Sequence, residues 1–135
     1  MPANLRRQVV QRAANRCEYC GLAQAGQEAA FHVDHIIPVA ARGATTLTNL
    51  ALACVSCSLR KGSRLKAIDP GSNDAVDLFH PRRNAWRLHF RWDGNGRIVG
   101  LTANGRATVA ALNMNRSLAI AIRREEIMRG RQPRI

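Results

Sequence analysis

The chain is short and strongly basic. Its 135 residues include 21 Lys or Arg and 9 Asp or Glu, so the formal net charge is +12. This length predicts one domain, or one domain with an appendage. No run approaches the ~18 apolar residues of a membrane-spanning helix, which excludes a helical membrane protein, and no apolar signal core follows Met1. We therefore expect a cytoplasmic protein, in which disulfides are disfavoured.

The basic residues are almost all arginines, since Lys61 and Lys66 are the only lysines. A guanidinium group presents forked donors that match phosphate oxygens, so the arginine excess indicates a nucleic-acid partner. The alternative is a generic basic surface, because charge alone does not distinguish the two.

The first half of the chain predicts one helix and two short strands. Leu5 and Val9 recur at helical spacing, which predicts a helix over residues 5–16. After a loop, residues 31–34 and 36–39 have the pattern of two strands in a hairpin-like unit.

The second half predicts a helix over 55–66 and then a β-hairpin. Residues 86–92 alternate between apolar and polar side chains, 93–96 form a turn, and 97–101 form the return strand. Two further helices are predicted, over residues 108–112 and 117–128.

The aromatic residues of the first hairpin strand have two interpretations. Trp86, Phe90 and Trp92 could stack on unpaired bases. Their shared alternation with Leu88 favours a core-facing side instead, with His89 on the solvent face.

The cysteines occur as two Cys-x-x-Cys pairs: Cys17, Cys20, Cys54 and Cys57. In each pair the spacing lets both sulfurs reach one tetrahedral ion, and four thiolates complete a structural zinc site. The alternatives are a redox dithiol or four buried free cysteines. A thioredoxin-like dithiol requires a βαβ context, which the sequence lacks.

The dipeptide Asp34-His35 lies between the two cysteine pairs. A carboxylate suits a hard cation such as Mg²⁺, and an imidazole can take up a proton near neutral pH. Together they supply the minimum for phosphodiester hydrolysis. On its own, however, such a dipeptide is often an ordinary surface pair. Strand alternation places His32 on the same face as Asp34.

Five short motifs follow one another between residues 17 and 64: Cys17-x-x-Cys20, Val33-Asp34-His35-Ile36-Ile37-Pro38, Thr48-Asn49-Leu50, Cys54-x-x-Cys57 and Lys61-Gly62. In this order the sequence resembles the HNH endonuclease family. The resemblance implies a ββα-metal core and a separate four-cysteine zinc site. With the C-terminal β-hairpin and helices predicted above, the expected fold is α+β. We expect residues 1–69 to form the core and 70–135 to pack on it as an extension.

The resemblance also implies roles for individual residues. His35 corresponds to the general base, Asp34 to the first ligand of a catalytic Mg²⁺ or Mn²⁺ ion, and Asn49 to the residue that orients the base and its loop. The residues expected to bind nucleic acid are basic: Arg60, Lys61, Arg64, Arg82 and Arg83.

Ser58 departs from the family pattern, which places His or Asn after the last cysteine as a second ligand of the catalytic ion. Three explanations stay open. Asp34 and Ser58, or a bridging water, could hold the ion with the substrate phosphate. Alternatively, His32 or His80 could supply the missing ligand. Finally, the site could be weak or inactive.

The expected activity is hydrolysis of DNA phosphodiester bonds, with RNA left open as a substrate. A catalytically silent, zinc-stabilised DNA-binding module is the alternative, which Ser58 favours. A zinc protein that binds another protein is a third possibility. Both a monomer, which would nick, and a homodimer, which could cut both strands, are compatible with the sequence.

Overall fold

The structure, a computed structural model, describes residues 1–131. Within these residues, short helices alternate with three two-stranded antiparallel sheets, and no helix is long and apolar enough to cross a bilayer. The elements are α1 (Ala3–Arg12), β1 (His32–His35), β2 (Leu50–Ala53), α2 (Val55–Lys61), β3 (Lys66–Ile68), β4 (Ala75–Asp77), α3 (Trp86–His89), β5 (Phe90–Trp92), β6 (Ile98–Gly100), α4 (Ala103–Ala111) and α5 (Ser117–Met128), with 3₁₀ turns at Val39–Ala41 and Leu47–Asn49.

The centre of the fold is a ββα unit. β1 and β2 are antiparallel, with His32 opposite Ala53 and His35 opposite Leu50, and the chain passes directly from β2 into α2. β2 is apolar along its length and fully buried, because α1 and α2 both pack against it. This arrangement confirms the expected α+β fold with a ββα core.

The partner of β1 is not the segment that the sequence predicted. Residues 36–39, expected to form the second strand of a hairpin, instead bend into a 3₁₀ turn. Pro38 has no N–H to give to a strand ladder. In addition, the Asn49 side chain binds both the N–H and the C=O of Ile37, at 2.9 and 3.0 Å. β1 therefore pairs with β2, across a longer connection.

Both helices of the first half end before their predicted ends. After α1, Ala14 and Asn15 have left-handed φ angles of 52° and 56°, which an α-helix does not accept. After α2, Gly62 has a φ of 53°, and the chain leaves the helix there. The β3–β4 ribbon that follows was not predicted, because neither strand has a buried face with regular alternation.

The aromatic segment begins as a helical turn and only then becomes a strand, so the single strand predicted over 86–92 is wrong for its first half. Trp86 and Phe90 pack against each other, with ring centroids 5.0 Å apart. Both are buried in the core, whereas Leu88 is 66% exposed. The core interpretation is therefore correct for Trp86 and Phe90 and wrong for Leu88.

The predicted hairpin of β5 and β6 is present, with Phe90 opposite Gly100. Asp93 Oδ1 closes its turn by accepting the N–H groups of Asn95 and Arg97. α5 has the predicted bounds.

α4 begins earlier than predicted because Thr102 caps it. Thr102 Oγ1 accepts the Gly105 N–H at 3.0 Å. The same oxygen lies 2.7 Å from Nδ1 of His89, so His89 is half-buried and not on the solvent face as expected.

The segment after residue 70 is joined to the first cysteine pair by buried hydrogen bonds. Trp86 Nε1 donates to the C=O of Tyr19 at 2.9 Å. The guanidinium of Arg123, 2% exposed, donates to the C=O groups of Cys20, Gly96 and Met114. These bonds support an extension packed on the core, and the boundary at residues 69 and 70 stays a prediction; residues 132–135 lie outside the described part.

Candidate metal centre and active site

The four cysteines come together, as the sequence predicted. Their Sγ atoms all lie within 4.8 Å of one another, and all four residues are buried. The Sγ atoms of Cys20 and Cys54 are 3.7 Å apart; thiolates at about 2.3 Å from a tetrahedral zinc ion would be separated by about 3.8 Å. The cysteine site therefore fits Zn²⁺. It is the only cluster of three or more such ligands within residues 1–131.

Local backbone geometry presents the sulfurs. Cys54 is the N-cap of α2, and its Sγ accepts the Cys57 N–H at 3.4 Å. The first pair repeats this contact, with Cys17 Sγ accepting the Cys20 N–H at 3.5 Å. Gly21 closes that turn with a φ of 76°.

Two arginines that the sequence analysis did not connect with the cysteines lie beside them. Arg116 Nη2 donates to Cys54 Sγ at 3.6 Å, and Arg123 Nη1 donates to the C=O of Cys20 at 3.1 Å. Burial raises the pKa of Cys17 well above its ordinary value, because an isolated thiolate is poorly solvated there. A divalent ion favours the thiolates, and the guanidinium groups offset the negative charge that remains. In the sequence, the spacing of two helical turns between Arg116 and Arg123 could have indicated that both arginines lie on one side of a helix.

Asp34, Ser58 and His32 form one hydrogen-bonded chain. Ser58 Oγ donates to Asp34 Oδ1 at 3.0 Å, and His32 Nδ1 lies 2.7 Å from Ser58 Oγ. A serine hydroxyl has one proton, so the Nδ1–H of His32 is the donor in the second bond. The three side chains expected near a catalytic ion are thus adjacent, between β1 and the middle of α2.

The ligands available at Asp34 are few. One carboxylate, one hydroxyl and one imidazole are in hydrogen-bond contact, and this set is too small to be a closed metal site. Mg²⁺ keeps several waters and takes other ligands from substrate phosphates. The arrangement therefore fits an open site, in which the substrate completes the coordination.

His80, considered above as a further ligand, has its Nδ1 lone pair engaged by the backbone N–H groups of Arg82 and Arg83, at 3.2 Å each. Burial lowers the pKa of His80, and the charge of Arg83 lowers it further. The neutral ring therefore carries its proton on Nε2 and offers no free lone pair to a metal.

Whereas Asp34 contacts α2, His35 ends β1 and contacts the loop that follows it. Its Nε2 lies 2.8 Å from Thr45 Oγ1. Thr45 was missed by the sequence analysis, because a threonine in a loop has no pattern that marks it as a partner of His35.

Asn49 holds the loop that carries Thr45. Its buried side chain binds the backbone of Ile37 on both sides and donates to the C=O of Ala44 at 2.9 Å. From the sequence, we expected Asn49 to orient both the base and its loop. In the structure Asn49 holds the loop directly, and Asn49 acts on His35 only through Thr45.

Lys61, expected to contact phosphate, lies in the interior. It is 3% exposed, and its Nζ donates to the C=O of Ile36 at 2.9 Å. Burial lowers the pKa of Lys61, and the nearby negative charge of Asp34 acts in the opposite direction. This geometry does not support a phosphate contact by Lys61. Arg60 and Arg64 are exposed on the adjacent surface.

Arg82 is also paired with a side chain within the protein. Its guanidinium is paired with the Glu18 carboxylate, whose other oxygen accepts the Leu52 N–H. Burial lowers the pKa of Arg82 to about 10. Arg83, its neighbour, is exposed and remains a candidate for phosphate binding.

Comparison with known proteins assigns the central part of the chain. Residues 17–64 match the family model described as HNH endonuclease, and no curated protein and no solved structure matches the chain. The matched span contains the four cysteines, the Asp34-His35 pair, Asn49 and Ser58. Residues 17–64 therefore match an HNH endonuclease domain, which agrees with the resemblance found in the sequence.

Proposed function

We propose that the protein is a metal-dependent endonuclease that hydrolyses phosphodiester bonds of DNA. The observation that carries this proposal is the meeting of three elements at Asp34 and His35. β1 presents a carboxylate and an imidazole on successive residues, the Asn49 loop reaches His35, and Ser58 of α2 reaches Asp34. Within an HNH domain, this geometry supports hydrolysis better than a purely structural role.

In this proposal His35 is the general base. The imidazole takes a proton from the attacking water, and the Thr45 hydroxyl at 2.8 Å holds the ring in one orientation. Asn49 acts as a positioning residue, since it fixes the backbone next to Thr45 through Ala44.

Asp34 would hold a Mg²⁺ or Mn²⁺ ion, with Ser58 and His32 as neighbouring donors. Such an ion, when bound, stabilises negative charge on the phosphate. The bond between Ser58 and Asp34 leaves the second carboxylate oxygen, Oδ2, without a hydrogen bond from any described residue. The cysteine site would hold zinc in a structural role.

Exposed arginines would bind the phosphate backbone. Arg60 and Arg64 follow Ser58 along α2 and beyond its end, and Arg83 lies in the loop before α3. Their contribution predicts binding that weakens steeply with salt. Binding in the absence of divalent ions measures this contribution apart from cleavage.

The test is cleavage of supercoiled plasmid by the full chain with Mg²⁺ or Mn²⁺, compared with EDTA. We expect nicking that requires the ion, and a loss of about a hundredfold or more in His35→Ala. Zinc content and circular dichroism of both proteins control for folding. Wild-type cleavage by His35→Ala would refute the assignment of the base.

The second candidate function is a silent DNA-binding module, favoured by the same Ser58–Asp34 bond, which uses one carboxylate oxygen internally. Salt-sensitive DNA binding without cleavage in either ion would establish this alternative. Absence of both binding and cleavage would exclude both functions.

A further inference from the structure

A cavity of about 350 Å³ lies beside the candidate active site. The bend after β1, the end of α2 and the chain between β4 and α3 surround it. Its lining includes the apolar residues Ile37 and Leu65. The volume falls within the range of small-molecule sites.

The cavity adjoins the catalytic face. Lys61 lies in its wall, three residues after Ser58 in α2, so the two side chains are on the same side of the helix. Ile36 and Ile37 directly follow His35 in the chain. A nucleic-acid strand with its scissile phosphate at Asp34 can therefore reach the cavity with a neighbouring nucleotide.

The polar groups of the wall have unused hydrogen-bonding capacity. Asn104 Nδ2 donates to the C=O of Asp77 at 2.8 Å, but its buried Oδ1 has no partner among the described residues. Asn84 Oδ1 accepts the His80 N–H at 2.9 Å, which directs the donors of its amide elsewhere. Asn104 Oδ1 is closed off from the cavity, so the amide that a ligand can reach is that of Asn84, and the edges of nucleobases offer acceptors to its Nδ2.

The charge of the wall favours an anion. Arg64 and Arg83 contribute guanidinium groups at the surface. The only carboxylate among the described lining residues is that of Asp77, and it is paired with Lys66 at 2.9 Å. A ligand that matches this wall therefore has a flat apolar body, hydrogen-bond acceptors at its edge and a negative group.

We propose that this cavity binds one unpaired nucleotide of the substrate. Its base would lie against Ile37 and Leu65 with its edge toward Asn84, and its phosphate would lie near the arginines. The substrate would then be DNA with a single-stranded or locally melted segment at the cut, since a stacked base does not reach such a site. This choice of substrate class rests on the proposed nuclease function.

Binding is measured first, in EDTA, with a single-stranded oligonucleotide that contains one 2-aminopurine. We expect its fluorescence to change on binding to the full chain. Ala41→Trp fills the cavity from the 3₁₀ turn and should weaken that binding about tenfold. Ala40→Trp is the matched control, because Ala40 is exposed on the same turn and does not line the cavity.

A second variant, Asn84→Asp, removes the amide donor but keeps an oxygen to accept the His80 N–H, so it tests the proposal if Ala41→Trp loses zinc or structure. Equal binding by wild type and both variants would overturn the proposal, even where cleavage persists. Cleavage with Mn²⁺ then compares a full duplex with one that has a single unpaired nucleotide at the cut. Preference for the second supports the proposal. Binding that depends on Ala41 and Asn84 without any cleavage would support the nucleotide site and refute the nuclease.

Discussion

Ser58 Oγ donates a hydrogen bond to one oxygen of the Asp34 carboxylate, at 3.0 Å. Residue 58 is therefore in direct reach of the group that would hold the catalytic ion. A hydroxyl is a short and neutral ligand, so the identity of this residue should set how tightly the ion is bound. The effect of having serine at position 58, where the family pattern has His or Asn, can therefore be measured as the strength of metal binding.

Ser58→His should increase cleavage at low Mn²⁺, because an imidazole adds a strong ligand beside Asp34. We expect the metal concentration for half-maximal activity to fall about tenfold or more. Plasmid nicking over a series of Mn²⁺ concentrations measures this value. Ser56→His is the control, since Ser56 lies on the same helix and lines a groove elsewhere. An unchanged metal requirement in Ser58→His would show that residue 58 does not reach the ion.

Asn49→Ala should destabilise the fold as well as the site. Three backbone groups, on Ile37 and Ala44, lose their partner, and we expect the free energy of unfolding to fall by about 3 kcal/mol. Urea unfolding at a fixed zinc concentration measures the difference. Thr48→Ala, at an exposed neighbour, should change the same quantity by no more than ~0.5 kcal/mol. Equal effects in the two variants would contradict the role of Asn49 in holding the loop.

Arg116→Leu should weaken zinc retention, because its guanidinium lies 3.6 Å from Cys54 Sγ and offsets the charge of the thiolates. Transfer of zinc to a chromogenic chelator should be about tenfold faster than in wild type. Arg124→Leu, exposed on α5, the helix that begins directly after Arg116, should match wild type. Identical transfer rates for Arg116→Leu and wild type would show that the contact does not stabilise the metal site.

Asp69→Asn should lower stability at neutral pH but not in acid. Hydrogen bonds from Arg106 and from the Gly71 N–H hold the pKa of Asp69 well below its ordinary value. A carboxylate with a depressed pKa stabilises the fold above its unfolded-state pKa of about 3.9, and this contribution is lost as the pH falls through the lower, folded value. The thermal midpoint of Asp69→Asn should therefore be below that of wild type at about pH 7, and the gap should narrow below about pH 4.

Asp77→Asn is the control for that experiment, because Asp77 is exposed and its pair with Lys66 is in solvent. It should follow wild type across the whole pH range. A gap between Asp69→Asn and wild type that stays constant with pH would mean that the charge of Asp69 does not contribute.

The cysteine site was predictable because its ligands need no knowledge of the remaining fold. Each Cys-x-x-Cys pair is a local geometry, and only the meeting of the two pairs is tertiary. The aromatic segment shows the opposite case. Alternation predicted a strand through Trp86 and Leu88, but Trp86 finds an acceptor in the Tyr19 carbonyl and packs on Phe90 from a helical turn. Tertiary contacts of this kind leave no mark on the local pattern.

The candidate active site was only partly visible in the sequence for the same reason. Asp34 and His35 are adjacent in the chain, and Ser58 was marked by its place after the last cysteine. Thr45 and the interior position of Lys61 depend on how Asn49 folds the loop. A basic residue in a sequence carries no sign of whether its charge points to solvent or to a buried carbonyl.

The guanidinium of Arg123 binds carbonyl groups from three separate stretches of chain, at Cys20, Gly96 and Met114. Only the first of these belongs to the span that matches the HNH family. A graft of residues 17–64 into another protein would carry every metal ligand but neither Arg116 nor Arg123. The host of such a graft would have to supply cationic groups beside the cysteines. Residues 17–64 thus contain the ligands, whereas the residues that offset their charge come from the C-terminal half of the chain.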